Sequence, residues 1–361
     1  MKLIIQIPCL DEADQLPATL ADLPRELPGV DELEWLVIDD GSGDGTTEAA
    51  RHGGVDHIIR LTNTKGLAAA FQAGLDAGLK LGADIVVNTD ADNQYRGQDV
   101  ERLVRPILEG RADMVVGDRQ VDQLEHFSPL KRRLQRLGSA VVQRASGTEV
   151  PDTTSGFRAY NREAALQVQV VSKFTYTLET IIQAGKMLVA VDHVPVRTNP
   201  PSRDSRLFAS NWSYVRRNAA SIFRIYALYE PLRVFAAFAG VAALAALVIW
   251  ARFLYFFLSG EGSGHVQSLI LGAVLLIVAV QLLALGVVGD VLAGSRVLQQ
   301  RILERVRRVE LALGVEPSHY EAGAQGAAAG PGAGTEPGAE SRRGEEPGGG
   351  ERGARRETVH L

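Results

Sequence analysis

The fold is decided by an apolar run that ends in acidic residues, IVVNTDADNQ at residues 85–94. Two further apolar runs, 3–7 and 36–38, also end in turn-forming residues. Helical periodicity lies between these runs and is clearest at 66–81. Further strands are predicted at 114–116 and 188–196, and further helices at about 129–146 and 177–186. Strands that alternate with helices predict an α/β fold, with a mostly parallel, Rossmann-like sheet and helices on both faces. Ligands bind such sheets beyond the carboxyl ends of the strands, which is where the acidic residues collect.

Composition divides the 361-residue chain into unlike parts. The net charge of −5 gives no reason to expect nucleic acid as a partner. A single cysteine, Cys9, excludes an internal disulfide and fits a reducing compartment. From these changes of composition we predict a globular domain at 1–200, a juxtamembrane amphipathic segment at 201–233, two transmembrane helices within 234–290, a basic amphipathic helix at 291–315 and a disordered tail at 316–361.

Two apolar segments, 234–258 and 268–288, predict a transmembrane hairpin. Each exceeds the roughly 20 residues that cross a hydrocarbon core, and their length disfavours the alternative of buried core helices. The loop at 259–267 has no Lys or Arg, whereas basic residues flank the outer ends of the pair. The positive-inside rule therefore predicts a multi-pass protein of the cytoplasmic (inner) membrane, with the globular domain and both termini in the cytoplasm. The basic helix at 291–315 is expected to lie on membrane lipids or to pair with a neighbouring subunit, so a homo-oligomer is left open.

The strongest chemical signal is Asp90, Asp92 and Gln94, directly after a predicted strand. Two carboxylates one residue apart on a turn can converge with an amide oxygen on a hard divalent cation, Mg²⁺ or Mn²⁺. Such an ion neutralises the charge that a leaving nucleoside diphosphate gains. The alternative is an ordinary surface Asp pair, which the position after an apolar strand disfavours.

A second acidic strand end is VIDDGSGDGT at 37–46. Its carboxylates, Asp39 and Asp40, can accept hydrogen bonds from a base N–H or a ribose hydroxyl. The alternative is an ordinary turn that leads into a helix N-cap at Asp44 or Thr46. The sequence has no Gly-x-x-x-x-Gly-Lys-Ser/Thr motif and no Gly-x-Gly-x-x-Gly after the first strand. These absences argue against a P-loop NTPase and a dinucleotide-binding protein.

With Pro8, Asp11 and Glu12 added, the sequence resembles the inverting family-2 glycosyltransferases of the GT-A fold. It is most similar to their dolichyl-phosphate mannose synthase and polyprenyl-phosphate glycosyltransferase branch. The resemblance covers about 1–208, and the hairpin that follows also suits that branch. One departure is Asp11, where the family motif Pro-x-x-Asn-Glu has Asn; Asp can still accept a hydrogen bond. The resemblance implies metal-dependent transfer of one sugar from a nucleotide-sugar donor to a polyprenyl-phosphate lipid, with inversion.

The resemblance also implies roles for single residues. Taken alone, each of the two arginines in these sets is more typical of a surface or structural ion pair. The implied donor-binding residues are Pro8, Asp11, Glu12, Asp39, Asp40 and Lys65; the metal ligands are Asp90, Asp92 and Gln94; and the catalytic set is Asp90, Asp92, Arg119 and Arg158, whose arginines contact donor or acceptor phosphate.

A basic loop before the membrane predicts the acceptor site. The family's Arg-x-x-Gly-x-Ser-Lys-like loop has an imperfect, longer counterpart at 197–206, in which Arg203, Ser205 and Arg206 are expected to bind the acceptor phosphate. The alternative is a plain anchor to anionic lipid. Because a phosphate monoester is largely dianionic near pH 7, a strong general base is unnecessary; Asp152 is available as a helper.

Two other functions fit part of the sequence. A processive polysaccharide synthase would carry a Gln-x-x-Arg-Trp motif and more membrane helices, and the motif is absent. A non-catalytic membrane scaffold that binds nucleotide-sugar or lipid would not need to retain Asp90, Asp92 and Gln94.

Overall fold

The computed structural model describes residues 1–120, 129–170, 176–200, 223–224, 226–260 and 266–323. The elements of its globular part are β1 (Lys2–Cys9), α1 (Leu16–Asp22), β2 (Glu32–Asp39), α2 (Thr46–His52), β3 (His57–Arg60), α3 (Leu67–Lys80), β4 (Ile85–Asn88), α4 (Asp99–Leu108), β5 (Met114–Asp118), α5 (Pro129–Ser146), β6 (Arg158–Asn161), α6 (Arg162–Gln167), α7 (Thr177–Lys186) and β7 (Val191–Pro195). They are followed by α8 (Pro231–Leu258), α9 (Val266–Ala312) and β8 (Tyr320–Ala322).

The described strands form one mixed sheet in the order β7-β5-β6-β4-β1-β2-β3-β8. Strand β1 pairs in parallel with β2 and β4, β2 with β3, and β5 with β7. Strand β6 runs antiparallel between β4 and β5, and β8 runs antiparallel along β3. The predicted α/β class is confirmed, although the two antiparallel strands make the sheet less uniformly parallel than predicted.

Alternate side chains of β1 enter two apolar clusters on opposite faces of the sheet. Ile4 packs in one cluster with Phe71 of α3, and Leu3 and Ile5 pack in the other with Leu103 of α4. Both faces of β1 are therefore buried, which explains why its sequence reads as a continuous apolar run rather than an alternating one.

Several predicted elements match the structure closely. Helices predicted at 129–146 and 177–186 are α5 and α7, and the helix predicted at 66–81 is α3. The strand predicted at 188–196 is the shorter β7. Strands β3, β6 and β8 were not predicted, because each has only three or four residues and lacks the continuous apolar run of the equally short β4.

Helices α8 and α9 are, by length and composition, able to cross a membrane. They lie side by side, and the indole N–H of Trp250 donates to the carbonyl oxygen of Leu269 at 3.2 Å. Most of their large apolar side chains are exposed, among them Leu247 and Ile277. This exposure fits a lipid-facing surface and is unlike a soluble core helix.

The structure differs from the prediction of a separate basic helix at 291–315. Helix α9 continues without a break to Ala312, and its far end docks on the globular part. The guanidinium of Arg307 donates to the carbonyl oxygens of Leu166 and Val168 at 3.1 and 2.8 Å, at the C-terminal end of α6. These carbonyls have no acceptor role within the helix, so a buried cation satisfies them. That end of α9 therefore contacts the globular part of the same chain.

The predicted disordered tail begins too early at 316. Residues 320–322 form β8 on the edge of the sheet, and the Tyr320 hydroxyl lies 2.9 Å from Nδ1 of His57. The Gly323 amide then donates to the Asp56 carbonyl at 2.9 Å. Residues 324–361 and most of the predicted juxtamembrane segment, 201–222, lie outside the described residues.

Candidate active site

The loops after β1 and β2 hold one another at the carboxyl edge of the sheet. Asp11 adopts a left-handed conformation (φ 53°), which Asp tolerates better than most residues. Its amide donates to the Ser42 hydroxyl, and its carboxylate accepts from the Gly43 amide, both at 3.0 Å. The Glu12 amide donates to the Thr46 hydroxyl at 3.0 Å. The predicted donor-binding residues Asp11 and Glu12 thus belong to one interlocked pair of loops.

Asp39 is fully buried at the end of β2. One carboxylate oxygen accepts from the Ser42 amide at 2.8 Å, and the other accepts from the Thr47 hydroxyl. Asp39 therefore shapes the turn into α2. The direct contact with a nucleoside that the sequence predicts would compete with these bonds.

Asp40 is also buried and clamps the loop before α3. Its two oxygens accept from the amides of Lys65 and Gly66 at 2.7 and 2.8 Å. The next residue, Gly41, has φ +78°, and a Cβ there would lie 2.9 Å from the Asn63 carbonyl carbon, so only glycine fits. The Lys65 side chain is exposed, as a donor contact requires, whereas Pro8 is buried within β1.

Asp90 and Asp92 follow β4 and differ from the Asp39–Asp40 pair. Among the described residues no hydrogen bond reaches the Asp90 carboxylate, and Asp92 accepts one from the Gln94 amide of its own loop at 3.1 Å. Burial, and next the negative charge of Asp92, raise the pKa of Asp90 to about 7, although Arg119 and Arg158 oppose the shift. The site therefore brings together two carboxylates whose mutual repulsion a cation would relieve.

The residues present fit a hard divalent ion. Carboxylate oxygens, with the nearby Gln94 amide, are the ligand types that Mg²⁺ and Mn²⁺ prefer. No cluster of three or more His, Cys, Asp or Glu side chains suited to a metal occurs in the described part of the chain. Two carboxylates are enough for an ion that keeps positions open for the oxygens of a bound diphosphate.

The turn just before Arg158 covers Asp90. A Cβ on Gly156 would lie 2.9 Å from the nearer Asp90 carboxylate oxygen and 2.8 Å from the Tyr176 hydroxyl, so only glycine fits there. The Gly156 carbonyl accepts from the Asn88 side chain at 2.8 Å, and Asn88 accepts from Gln6 at 2.8 Å. Sequence reasoning missed this buried network; its signal was a polar residue within each of two apolar strands.

Arg119 is held by a buried carboxylate. Its Nε and one terminal nitrogen donate to the two oxygens of Asp152 at 2.7 and 3.0 Å, and the same terminal nitrogen donates to the Thr154 hydroxyl at 2.8 Å. Burial would raise the pKa of Asp152, but the Arg119 guanidinium outweighs it and lowers the pKa. Arg119 is 17% exposed and remains beside Asp90, so its charge can act on a bound anion.

Arg158 does not take the predicted position. It is fully buried, and its guanidinium binds protein oxygens on several sides: the carbonyls of Ser155, Thr177 and Thr153 at 2.8, 2.7 and 2.9 Å, and the Thr180 hydroxyl. Its donors are thus committed to the turn at Gly156 and to α7. The predicted phosphate contact is replaced by a structural role, because few N–H groups remain for a ligand.

The chain after β7, where the predicted acceptor loop at 197–206 begins, lies beside the site. The Arg197 amide donates to the Asp99 carboxylate at 2.7 Å, Thr198 pairs with Tyr95, and the Asn199 amide donates to the Gln94 carbonyl at 2.8 Å. The segment 197–199 therefore lies against the Asp92 loop. The predicted acceptor-phosphate residues Arg203, Ser205 and Arg206 follow it and lie outside the described residues.

Comparison with known proteins finds one family and several relatives. Residues 4–168 match glycosyl transferase family 2. The undecaprenyl-phosphate mannosyltransferase of Micrococcus luteus is 32% identical over 53% of this chain and 82% of its own length. The polyprenol monophosphomannose synthase of Mycolicibacterium smegmatis is 29% identical over 46% of this chain and 64% of its own length.

A solved structure supports the fold. Glucosyl-3-phosphoglycerate synthase from Mycobacterium tuberculosis, in complex with Mn²⁺, UDP-glucose and phosphoglyceric acid, has a TM-score of 0.50 and 20% sequence identity. The match covers 63% of this chain and 78% of the synthase. At this identity the likeness concerns the fold alone.

Proposed function

Because the chain belongs to glycosyl transferase family 2, we propose that it transfers a single sugar from a nucleotide-sugar to a polyprenyl phosphate, with inversion and with Mg²⁺ or Mn²⁺. The observation that carries this proposal is the partly buried Asp90–Asp92 pair, which no described side chain neutralises by a direct ion pair. A diphosphate leaving group needs such a site, because negative charge builds on it as the sugar departs.

The residues around the pair have separate tasks in this proposal. Asp90, Asp92 and Gln94 would hold the ion, which when bound supplies positive charge to the diphosphate. Arg119, oriented by Asp152, would add a second positive charge beside Asp90. The interlocked loops of Asp11 and Glu12 border the region where the nucleoside would bind.

The acceptor assignment rests on the relatives and on the hairpin. Two relatives are named for undecaprenyl phosphate or polyprenol phosphate. Helices α8 and α9 would keep the domain at the membrane, where such a lipid presents its headgroup. Because the phosphate is largely dianionic near pH 7, its orientation and charge neutralisation can carry the reaction without a strong base.

Purified protein in detergent, offered labelled nucleotide-sugars one at a time, tests the proposal. Undecaprenyl phosphate should become labelled with at least one donor, and undecaprenol, the matched lipid without phosphate, should not. 3-Phosphoglycerate, offered as an alternative acceptor, should not become labelled. Its labelling in place of the lipid would contradict the proposed acceptor. No transfer from any donor to either acceptor would contradict the proposed reaction.

The predicted acceptor loop has its own test. Changing Arg203 and Arg206 together to Gln should raise the apparent Michaelis constant for the lipid, by roughly tenfold or more for each lost charge-assisted contact. Donor affinity measured by calorimetry should stay near wild type. A loop that only anchors the protein would instead give a variant that leaves liposomes yet regains activity with detergent-solubilised lipid.

We further propose that the protein lies in the cytoplasmic membrane with both termini on the cytoplasmic side, from the distribution of basic residues. In a Cys9→Ser background, Ser263→Cys should react with an impermeant thiol reagent added to intact cells, and Ser341→Cys should not. The opposite labelling pattern would reverse the orientation.

A further inference from the structure

We propose that Asn199 is a positioning residue for the divalent cation: it fixes the loop at 92–96 from outside, without contacting the ion. The inference deepens the proposed metal site and depends on it. Nothing in the sequence motif that contains Asp90 and Asp92 points to Asn199, which lies more than a hundred residues further along the chain.

Three hydrogen bonds join Asn199 to this loop. Its amide donates to the Gln94 carbonyl at 2.8 Å, and its side-chain Nδ2 donates to the Asn93 carbonyl at 3.0 Å. Its side-chain oxygen accepts from Nε of Arg96 at 3.2 Å. The carbonyls of two successive peptide units, 93–94 and 94–95, are thus held by a single residue, which fixes the orientation of both units.

The loop conformation is held from outside. Asn93 adopts a left-handed conformation, φ 54°, which Asn tolerates better than most residues but which is still less common than the right-handed one, and the bonds from Asn199 help to maintain it. The one described bond that the Asp92 carboxylate accepts comes from the Gln94 amide, at 3.1 Å. Any rotation of the peptides at 93–94 would therefore move Asp92 and change its distance from Asp90.

Asn199 is itself delivered by rigid elements. Strand β7 pairs in parallel with β5, and the chain beyond it continues this anchoring: the Val196 amide donates to the Asp118 carbonyl at 2.9 Å, and the Arg197 amide donates to the Asp99 carboxylate at 2.7 Å. The loop at 92–96 is consequently braced against β5 and the start of α4. Partners behind the ligands of a metal ion commonly set its affinity in this way.

The test measures Mn²⁺ alone, titrated into the full-length protein in detergent and followed by the loss of the free Mn²⁺ signal in electron paramagnetic resonance. Asn199→Ala should weaken Mn²⁺ binding by about tenfold or more. Arg96→Ala, which removes one partner and leaves the bond to Asn93, should give a smaller loss in the same direction and serves if Asn199→Ala does not fold.

Asn161→Ala is the matched control. The Asn161 side chain also makes one donated and one accepted hydrogen bond, to Asp113 at 2.7 Å and from the Ala164 amide at 2.8 Å. It lies beside Ile85, at the end of β4 away from the site. Asn161→Ala should lower the unfolding temperature and leave Mn²⁺ affinity unchanged.

Equal Mn²⁺ affinity in Asn199→Ala and wild type, or an equal loss in Asn161→Ala, would overturn the role of Asn199. Absence of Mn²⁺ binding by the wild type, or binding that survives Asp92→Ala, would overturn this role together with the metal site. Intact Mn²⁺ binding without sugar transfer to the lipid would count only against the proposed acceptor.

Discussion

Two acidic pairs stand at the same edge of the sheet and do different things. Asp39 ends β2 and Asp40 follows it, and each of their carboxylate oxygens accepts a hydrogen bond from a nearby amide or hydroxyl. Asp90 and Asp92 follow β4, and together they accept one described hydrogen bond, from within their own loop. The comparison shows that the residue type and the strand end are shared, whereas the number of local donors decides whether a carboxylate shapes a loop or remains available to a ligand.

The largest expected effect is a loss of catalysis, which distinguishes the Asp90–Asp92 pair from the Asp39–Asp40 pair. Asp92→Ala should lower sugar transfer by roughly 100-fold or more, because the diphosphate loses a charged ligand of its metal ion. The unfolding temperature should stay at or above that of the wild type, since the change also removes repulsion of Asp90. Near-normal turnover in Asp92→Ala would show that the pair does not hold the ion.

The next effect falls on stability. Asp40→Ala should destabilise the protein by about 2–4 kcal/mol, because the amides of Lys65 and Gly66 lose a buried charged acceptor. Chemical denaturation in detergent, followed by tryptophan fluorescence, measures this. As a control, Asp31→Ala, which removes an exposed partner of the N-terminus, should change little. If Asp40→Ala were as stable as the wild type, Asp40 would not stabilise its loop. The proposed difference in role between the two acidic pairs would then be wrong.

A third effect concerns pH. Since the pKa of Asp90 is raised to about 7 in the folded, metal-free protein and is about 4 when unfolded, folding takes up a proton between these values. In EDTA, the wild type should therefore lose stability relative to Asp90→Asn as pH rises from 4 to 7, and the two should converge below pH 4. Thermal unfolding across this range tests the shift, and a constant difference at all pH values would contradict it.

The smallest expected effect concerns the C-terminus. Deleting residues 324–361 should leave transfer activity and stability near wild type, because a Gly-, Pro- and charge-rich sequence offers little to a core. Deleting 316–361 should lower the unfolding temperature, since it removes β8 and the contact of Tyr320 with His57. Equal behaviour of the two deletions would show that β8 contributes nothing.

The sequence predicted the parts of the fold that have long, periodic patterns. The stripe of α3 and the apolar runs of β1, β2 and β4 give the sheet, its helices and its acidic edge. The short antiparallel strands and the junction of α9 with α6 depend on contacts between distant residues. In the sequence, Arg307 is one of several basic residues on a helix face. Its contact with the carbonyl oxygens at the end of α6 is visible only in the structure.

How far the sequence can predict the candidate site depends on how local its contacts are. The motif around Asp90 and Asp92 is local, so its spacing and its place after a strand predict a metal site, which stays a prediction. The roles of Asp40, Arg158 and Asn199 depend on hydrogen-bond partners. These partners are distant in the sequence, or a turn whose conformation the sequence does not show brings them close. For Arg158 the resemblance suggested a phosphate contact, and burial among protein oxygens indicates a structural one.

The most direct test of the account is a Mn²⁺ titration of sugar transfer to undecaprenyl phosphate, starting from EDTA-treated protein. Wild type and Asp40→Ala should recover activity at similar Mn²⁺ concentrations once rates are normalised to folded protein, and Asp92→Ala should not recover. The central claim is that the Asp90–Asp92 pair holds the ion and the Asp39–Asp40 pair does not. Transfer without added metal would contradict it, and so would a Mn²⁺ requirement that rises as much in Asp40→Ala as in Asp92→Ala.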